Sequence, residues 1–200
     1  MKTTLRLLIT DFCEKKCPGC CNKDWDLKNL PIAESYEGYE EILLTGGEPT
    51  LKVKLLFDTI IKIRKENPVA KIIVYTSNVF SLFQDWVNFV DGITLTLHDK
   101  RDFDLLRCVE LSQIKHNHSL FDTFIKPRFY NDPTSGYYTS NGIRYNVNYI
   151  TKRKSLRLNV FKGISVPKLY NKNNWQVKKN IKWIKDCPLP KNEEFKRLKL

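Results

Sequence analysis

The chain has 200 residues, of which 42% are hydrophobic and 28% charged, a balance typical of one soluble globular domain. No run of 18 apolar residues occurs, which argues against a membrane-spanning helix, and six cysteines are too few for a disulfide framework, so free thiols in a reducing cytoplasm are expected. The formal net charge of +12 comes from one end, because residues 151–200 hold 15 Lys and Arg against 3 Asp and Glu.

The first predicted element is a β-strand over Leu5–Phe12, an apolar run that leads directly into Cys13, Cys17 and Cys20. Three thiolates at this spacing can bind three irons of a [4Fe–4S] cluster, because soft sulfur ligands suit iron–sulfur chemistry. No further local residue supplies a fourth ligand at the usual spacing, so one iron would stay open to a substrate or cofactor. Cys17 and Cys20 taken alone also match half a zinc ribbon or a redox dithiol, and the spacing alone leaves these alternatives open.

A second motif follows a second predicted strand. The strand covers Glu41–Thr45 and runs into Gly46, Gly47, Glu48 and Pro49. Paired glycines at a strand end let backbone groups approach a ligand closely, and Glu48 brings a carboxylate near that approach. Pro49 presets the turn into a helix.

Strands and helices then alternate. The predicted elements are a helix over Leu51–Asn67, a strand over Lys71–Ser77, a helix from Ser81 to Val90, a strand over Gly92–His98 and a helix over Arg101–Gln113. The first helix has one apolar stripe with Arg64 on the opposite face, and Ser81 with Gln84 forms a capping box for the second. Alternation of this kind predicts a parallel sheet covered by helices.

After about residue 120 the alternation weakens. Predicted here are a turn over Asn131–Gly136, a hairpin of strands Ile143–Ile150 and Leu156–Phe161, and a helix over Trp175–Lys185. Pro188 and Pro190 are expected to end regular structure and leave a basic tail. The basic C-terminal region favours docking of an acidic protein surface, a phosphate or a nucleic acid, or else it is a solvated lysine-rich surface.

The cysteine loop followed by Gly-Gly-Glu-Pro resembles the radical S-adenosylmethionine (SAM) enzymes, from Leu5 to about Asp99. The resemblance implies an α/β fold, a partial (β/α)6-type radical SAM barrel of mostly parallel strands, with an extra basic C-terminal segment. Residues 1–120 would form the core with the cluster and the SAM site. Residues 121–200 would complete the barrel and carry the basic extension within one structural domain.

In that family the three cysteines hold a [4Fe–4S] cluster whose open iron binds SAM, and Gly-Gly-Glu-Pro contacts the methionine amino group. An electron from the cluster cleaves SAM to methionine and a 5′-deoxyadenosyl radical, which abstracts hydrogen from a substrate. The resemblance therefore implies two sets of site residues. The implied cluster ligands are Cys13, Cys17 and Cys20, and the implied SAM-binding residues are Gly46, Gly47, Glu48, Pro49, Ser77, Asn78, Thr96 and His98. Val79 stands where the family often has the glycine of a Thr-Asn-Gly segment.

The residues after the last cysteine ligand bear on the substrate. Asn22 and Trp25 match the glycyl-radical-enzyme activases, in particular the anaerobic ribonucleotide reductase activating proteins, although Cys21 replaces their usual His. This similarity implies hydrogen abstraction from a glycine of a partner protein, with a flavodoxin- or ferredoxin-type electron donor. The alternatives are a compact enzyme similar to 7-carboxy-7-deazaguanine synthase that acts on a small molecule, an enzyme that acts on a peptide or nucleic acid, and a non-catalytic iron–sulfur binding module.

Overall fold

The strands predicted in the first hundred residues are all confirmed in a computed structural model of the chain. The structure describes residues 3–15, 17, 20–102, 104–106, 137–140, 143–146, 157–162, 175–178 and 189–199. The strands are β1 (Thr4–Thr10), β2 (Glu41–Gly46), β3 (Lys71–Thr76), β4 (Gly92–Leu97), β5 (Tyr137–Ser140), β6 (Ile143–Asn146), β7 (Arg157–Lys162), β8 (Trp175–Lys178) and β9 (Glu193–Arg197). The α-helix α1 spans Val53–Glu66.

Seven of these strands form one sheet in the order β8-β7-β4-β3-β2-β1-β9, and every pair of neighbours is parallel. Strands β5 and β6 form a separate antiparallel pair. The predicted α/β fold with mostly parallel strands is therefore confirmed, and the sheet is consistent with a partial radical SAM barrel. In such a sheet the carboxyl ends of the strands meet at one edge, where sites are built.

The central strands are buried along most of their length, as parallel strands covered by helices are expected to be. Leu7 of β1 pairs with Leu44 of β2, and both are fully buried. The helix α1 contributes Leu56, Ile60 and Ile63, each fully buried, at the spacing of one helical face. This packing gives the sheet edge a rigid base.

The helix predicted over Leu51–Asn67 is confirmed, with a different start. A 3₁₀ turn over Pro49–Lys52 comes first, and α1 follows it. At the other end Asn67 caps the helix, because its backbone N–H donates to the Ile63 carbonyl. The Asn67 amide also donates to the carbonyls of Tyr36 and Tyr39, which fixes the connection that leads into β2.

The single helix predicted from Ser81 to Val90 is wrong. Two 3₁₀ turns, Val79–Phe83 and Asp85–Phe89, occupy the segment. The cap is Asn78, whose side-chain oxygen accepts from the Phe80 N–H, so the first turn starts before the predicted capping box. Gln84 between the two turns has an extended backbone and accepts a hydrogen bond from the buried Trp86 indole at 3.0 Å, which interrupts the helix.

Two predictions for the C-terminal half are also wrong. Strand β6 pairs with β5 and β7 pairs with β4, so the two strands do not form the predicted hairpin. Residues Trp175–Lys178, predicted as the start of a helix, form β8 beside β7. Aromatic and β-branched residues alternate there with polar ones, and over so few residues a period of two competes with the helical period.

The expected basic tail after Pro190 contains a strand instead. β9 lies parallel to β1 at the edge of the sheet opposite to β8. Phe195 and Leu198 are buried, and segment 31–33 pairs along the outer side of β9 through Arg197. A single aromatic residue among four charged ones is a weak strand signal, and the pairing with β1 and with segment 31–33 cannot be read from the local sequence.

The predicted helix over Arg101–Gln113 is helical at residues 100–102 and 104–106, and its remainder lies outside the described residues. The turn predicted over Asn131–Gly136 lies outside them as well, as do Cys108 and Cys187. Among the helices that the structure describes, none has the length and apolarity needed to cross a membrane.

Arg64 does not lie on a solvated face of α1, as its position opposite the apolar stripe predicted, but is buried. Its guanidinium donates to the Phe89 carbonyl at 3.0 Å, to the Ala70 carbonyl at 2.6 Å and to the Asp91 carboxylate at 2.9 Å. Burial lowers the pKa of Arg64 to about 10. The side chain thus ties α1 to the loop that precedes β3 and to the loop that precedes β4.

Arg64→Met should therefore lower the free energy of unfolding by about 3 kcal/mol or more, because it removes the donor of two backbone carbonyls and the cation that pairs with the Asp91 carboxylate. Urea denaturation would measure the change. Lys54→Met on the same helix is the matched control, since its ion pair with Asp58 is exposed and should contribute less than about 0.5 kcal/mol. Equal effects of the two substitutions would contradict the role given to Arg64.

Candidate iron–sulfur and SAM site

The three cysteines lie in the loop that leaves β1 at the carboxyl edge of the sheet. Cys13, Cys17 and Cys20 are free thiols of intermediate exposure. Burial raises the pKa of the Cys17 thiol, and the two neighbouring thiols raise it further. Burial also raises the pKa of the Cys13 thiol, and the negative charges of Glu48 and Cys20 raise it further. The three sulfurs are thus close enough to repel one another as thiolates, and a soft cationic group between them would offset that repulsion.

Within the described residues, no set of three or more His, Cys, Asp and Glu side chains is arranged to hold a single metal ion. A [4Fe–4S] cluster needs a different arrangement. Each cysteine sulfur binds a different iron, so the sulfurs lie farther apart than the ligands of a single metal ion. Three mutually interacting soft donors, partly exposed on one loop, fit such a cluster.

Gly46 and Gly47 are glycines because the cysteine loop passes directly over them. A Cβ on Gly46 would lie 2.3 Å from the Thr10 carbonyl oxygen, and a Cβ on Gly47 would lie 2.0 Å from the Phe12 carbonyl oxygen. The Gly47 N–H donates to the Thr10 carbonyl at 2.6 Å, and the Glu48 N–H donates to the Phe12 carbonyl at 2.9 Å. The close approach expected at this pair is therefore made by the chain itself, at the base of the cysteine loop.

The Glu48 side chain turns inward, where it joins the end of β2 to the end of β3. One carboxylate oxygen accepts from the Thr50 N–H at 3.2 Å and from the hydroxyls of Thr50 and Thr76, each at 2.7 Å. The other accepts from the N–H and the hydroxyl of Ser77 at 2.7 and 2.8 Å. Glu48 is only 5% exposed. Five donors compensate its burial, so the carboxylate holds the two strand ends together.

A cavity of about 370 Å³ opens beside this junction. Glu14 and Lys15 line it from the cysteine loop, Glu48 from the end of β2, and Ser77 and Asn78 from the end of β3. Its size lies in the range of small-molecule and cofactor sites. The cavity is therefore lined both by the cysteine loop and by three of the predicted SAM-binding residues, Glu48, Ser77 and Asn78.

Thr96 and His98, the other two strand-end candidates, are outside the lining of this cavity. Thr96 is half-buried on β4. His98 turns toward the cysteines instead, and its Nε2 lies 3.0 Å from the Cys17 sulfur. The structure thus brings His98 next to a predicted cluster ligand rather than into the predicted cofactor pocket.

Sequence reasoning missed Asp102, four residues after His98. Its carboxylate accepts from the His98 backbone N–H at 2.9 Å and from Lys15 Nζ at 2.9 and 3.0 Å. Burial acts to raise the pKa of Asp102, but hydrogen bonds from His98 and Lys15 outweigh it and hold the pKa at about 2. The available signal was weak, since it consisted only of an acidic residue one helical turn beyond a strand-end histidine.

The two residues on which the activase resemblance depends both have structural contacts. The Asn22 side chain donates to the Gly46 carbonyl, which closes the cysteine loop onto the glycine pair. The Trp25 ring packs edge-to-face on Phe195 of β9, with 5.1 Å between ring centroids. These contacts account for both residues without reference to a substrate.

The chain is similar to curated proteins named GTP 3′,8-cyclase. Two from Klebsiella pneumoniae are each 35% identical over 105 residues, and one from Yersinia pestis is 30% identical over 103 residues. The matches cover 45% of this chain and 31% of each relative, so the chain corresponds to about a third of their length. No family model and no solved structure matches the chain.

GTP 3′,8-cyclases are radical SAM enzymes that use a [4Fe–4S] cluster and SAM. The similarity therefore supports an enzyme of the radical SAM superfamily, as the motifs predicted, and it gives no support to the activase subtype.

Gly47→Ala should lower the free energy of unfolding by about 2–3 kcal/mol, because its Cβ would overlap the Phe12 carbonyl and displace the cysteine loop. Chemical denaturation would measure this. Gly38→Ala is the control, since Gly38 has φ of 77° but nothing within 4 Å of an added Cβ, and backbone strain alone should give about 1 kcal/mol. If Gly47→Ala were the milder substitution, the close approach would be refuted.

Glu48→Gln should destabilise the fold by about 2 kcal/mol, since the amide nitrogen must face a backbone N–H, of Thr50 or of Ser77, in either orientation. Urea denaturation of the purified variant tests this. Glu40→Gln, at an exposed position before β2, should change stability by less than about 0.5 kcal/mol. A neutral Glu48→Gln would show that the carboxylate is not needed for the strand junction.

Proposed function

We propose that the chain is a radical SAM enzyme in which Cys13, Cys17 and Cys20 bind a [4Fe–4S] cluster and SAM occupies the adjoining cavity. The observation that carries the proposal is the position of this cavity, which the cysteine loop lines on one side and the strand ends with Glu48 and Ser77 on the other. When bound, a cluster of this kind supplies one electron for the reductive cleavage of SAM.

The residues of the chain have separate tasks in this proposal. The three thiolates bind the cluster and hold it at the rim of the cavity. Glu48 fixes the cavity wall, because its carboxylate joins β2 to β3. Asn78 lines the cavity with its side chain anchored at both ends, by the Phe80 N–H at 3.1 Å and by the Thr50 hydroxyl at 3.4 Å. A pre-ordered amide of this kind can orient a polar cofactor.

A small-molecule substrate is the finer proposal that the comparisons favour, because the similar proteins are named for a reaction of GTP. The activase alternative, hydrogen abstraction from a glycine of a partner protein, depends on Asn22 and Trp25. Both have structural roles here, so neither favours a protein substrate over a small one. Substrate specificity would come from residues after the shared core.

Cys13→Ala, Cys17→Ala and Cys20→Ala should each prevent formation of a full cluster, because each removes one of three soft ligands. The measurement is iron and sulfide content with the visible absorbance after anaerobic reconstitution. Cys187→Ala is the matched control and should keep the wild-type content. A full [4Fe–4S] spectrum in any of the three variants would contradict the ligand assignment.

The substrate class can be tested on the reconstituted protein with SAM and a strong reductant. GTP and a glycyl-radical enzyme are added separately, and 5′-deoxyadenosine is measured. Stimulation of its formation by GTP would favour the small-molecule proposal. Stimulation by the protein, with a glycyl radical signal, would favour the activase.

A further inference from the structure

Asp102 links two parts of the chain that are 87 positions apart. It lies in the helical turn after β4 and is 6% exposed. Both of its oxygens accept from Lys15 Nζ, and one of them also accepts from the His98 backbone N–H. The carboxylate is therefore fixed at the end of β4 and connects it to the cysteine loop through Lys15.

On the loop side, two neighbouring positions are attached to this strand end. Lys15 lies between Cys13 and Cys17 in the sequence and contacts Asp102. Cys17 itself contacts the His98 ring, with its sulfur 3.0 Å from Nε2. The ring in turn lies beside Asp102, with 3.7 Å between Nδ1 and the carboxylate oxygen. These contacts link four side chains between the loop and the sheet, and we call this set the circuit: Lys15, Asp102, His98 and Cys17.

The circuit is more than an exposed ion pair. The Asp102 side chain is 9% exposed and that of Lys15 is 35% exposed, so solvent screens the pair only in part. Three hydrogen bonds from two donors, Lys15 Nζ and the His98 N–H, satisfy the carboxylate, which is the condition under which a buried charge is tolerated. Elsewhere the described loop is held by backbone contacts at its base, by Asn22 beyond Cys20 and, within the loop itself, by an exposed hydrogen bond from Lys23 Nζ to the Cys17 carbonyl at 3.4 Å. Asp102 holds the middle of the loop.

We propose that Asp102 is a positioning residue that fixes the cysteine loop on the end of β4 and so sets where the thiols stand relative to the cavity. The inference rests on the proposed cluster site. Residues that orient metal ligands from outside the first coordination shell typically change metal affinity 10- to 100-fold when they are removed.

The test compares Asp102→Asn with Asp104→Asn in the full-length chain after anaerobic reconstitution. Both substitutions remove one negative charge from the same helical turn, but Asp104 is exposed. Transfer of iron from the cluster to an excess of chelator should be about tenfold faster, or more, in Asp102→Asn than in wild type. The Asp104→Asn variant should match wild type. Equal rates in all three proteins would overturn the proposal.

Two further variants separate positioning from a general effect on folding. Lys15→Met should accelerate cluster loss as Asp102→Asn does, and the double variant should be no faster than either single one, because both remove the same contact. Asp102→Glu, which can still reach Lys15, should recover part of the resistance. An additive double variant, or an unaffected Lys15→Met, would contradict the circuit.

A wild-type chain that takes up no cluster would refute the proposed function, and the positioning role would then be tested on the thiol itself. Alkylation of Cys17 by iodoacetamide should be several-fold faster in Asp102→Asn than in Asp104→Asn, since the loop is released. Equal alkylation rates would overturn the positioning role independently of the cluster.

Discussion

The buried carboxylate of Glu48 is the constraint on which the candidate site depends. A charged side chain at 5% exposure is stable only when donors surround it, and here the donors come from the end of β3 and the first turn after β2. The same turn begins the connection into α1, which packs on the sheet. The junction therefore couples the core of the fold to the wall of the cavity.

Three sets of contacts attach the cysteine loop to the ends of the neighbouring strands. Its base lies on Gly46 and Gly47, where no side chain would fit. Its middle is attached to the end of β4 through Lys15 and Asp102, and Asn22 returns it to the Gly46 carbonyl beyond the last cysteine. The thiols thus belong to a loop fixed by the scaffold, as a metal-binding site requires.

The sequence predicted the four strands β1–β4, because buried parallel strands are continuous apolar runs, and the two motifs follow the ends of β1 and β2. It did not predict the contacts within the site. Nothing in the local sequence distinguishes a glutamate that faces a ligand from one, such as Glu48, that joins two strands. The role of Asp102 depends on the folded chain, which brings the end of β4 next to the cysteine loop. Arg64 and β9 were missed for the same reason, since their partners are remote in sequence.

The resemblance to activases depends on two residues whose contacts in the structure do not involve a substrate. Asn22 and Trp25 match that subfamily, yet one closes the loop and the other packs on β9. Similarity to GTP 3′,8-cyclases reaches over 45% of the chain and supports the chemistry of the superfamily alone. Specificity must be sought outside the shared motifs.

The most direct test of the account is the electron paramagnetic resonance spectrum of the reduced, reconstituted protein with and without SAM. Binding of SAM to an open iron, held by the three cysteines at the rim of the cavity, should change the g-values of the cluster signal. A full [4Fe–4S] cluster whose spectrum does not respond to SAM would contradict the central claim and would leave an iron–sulfur protein of another kind.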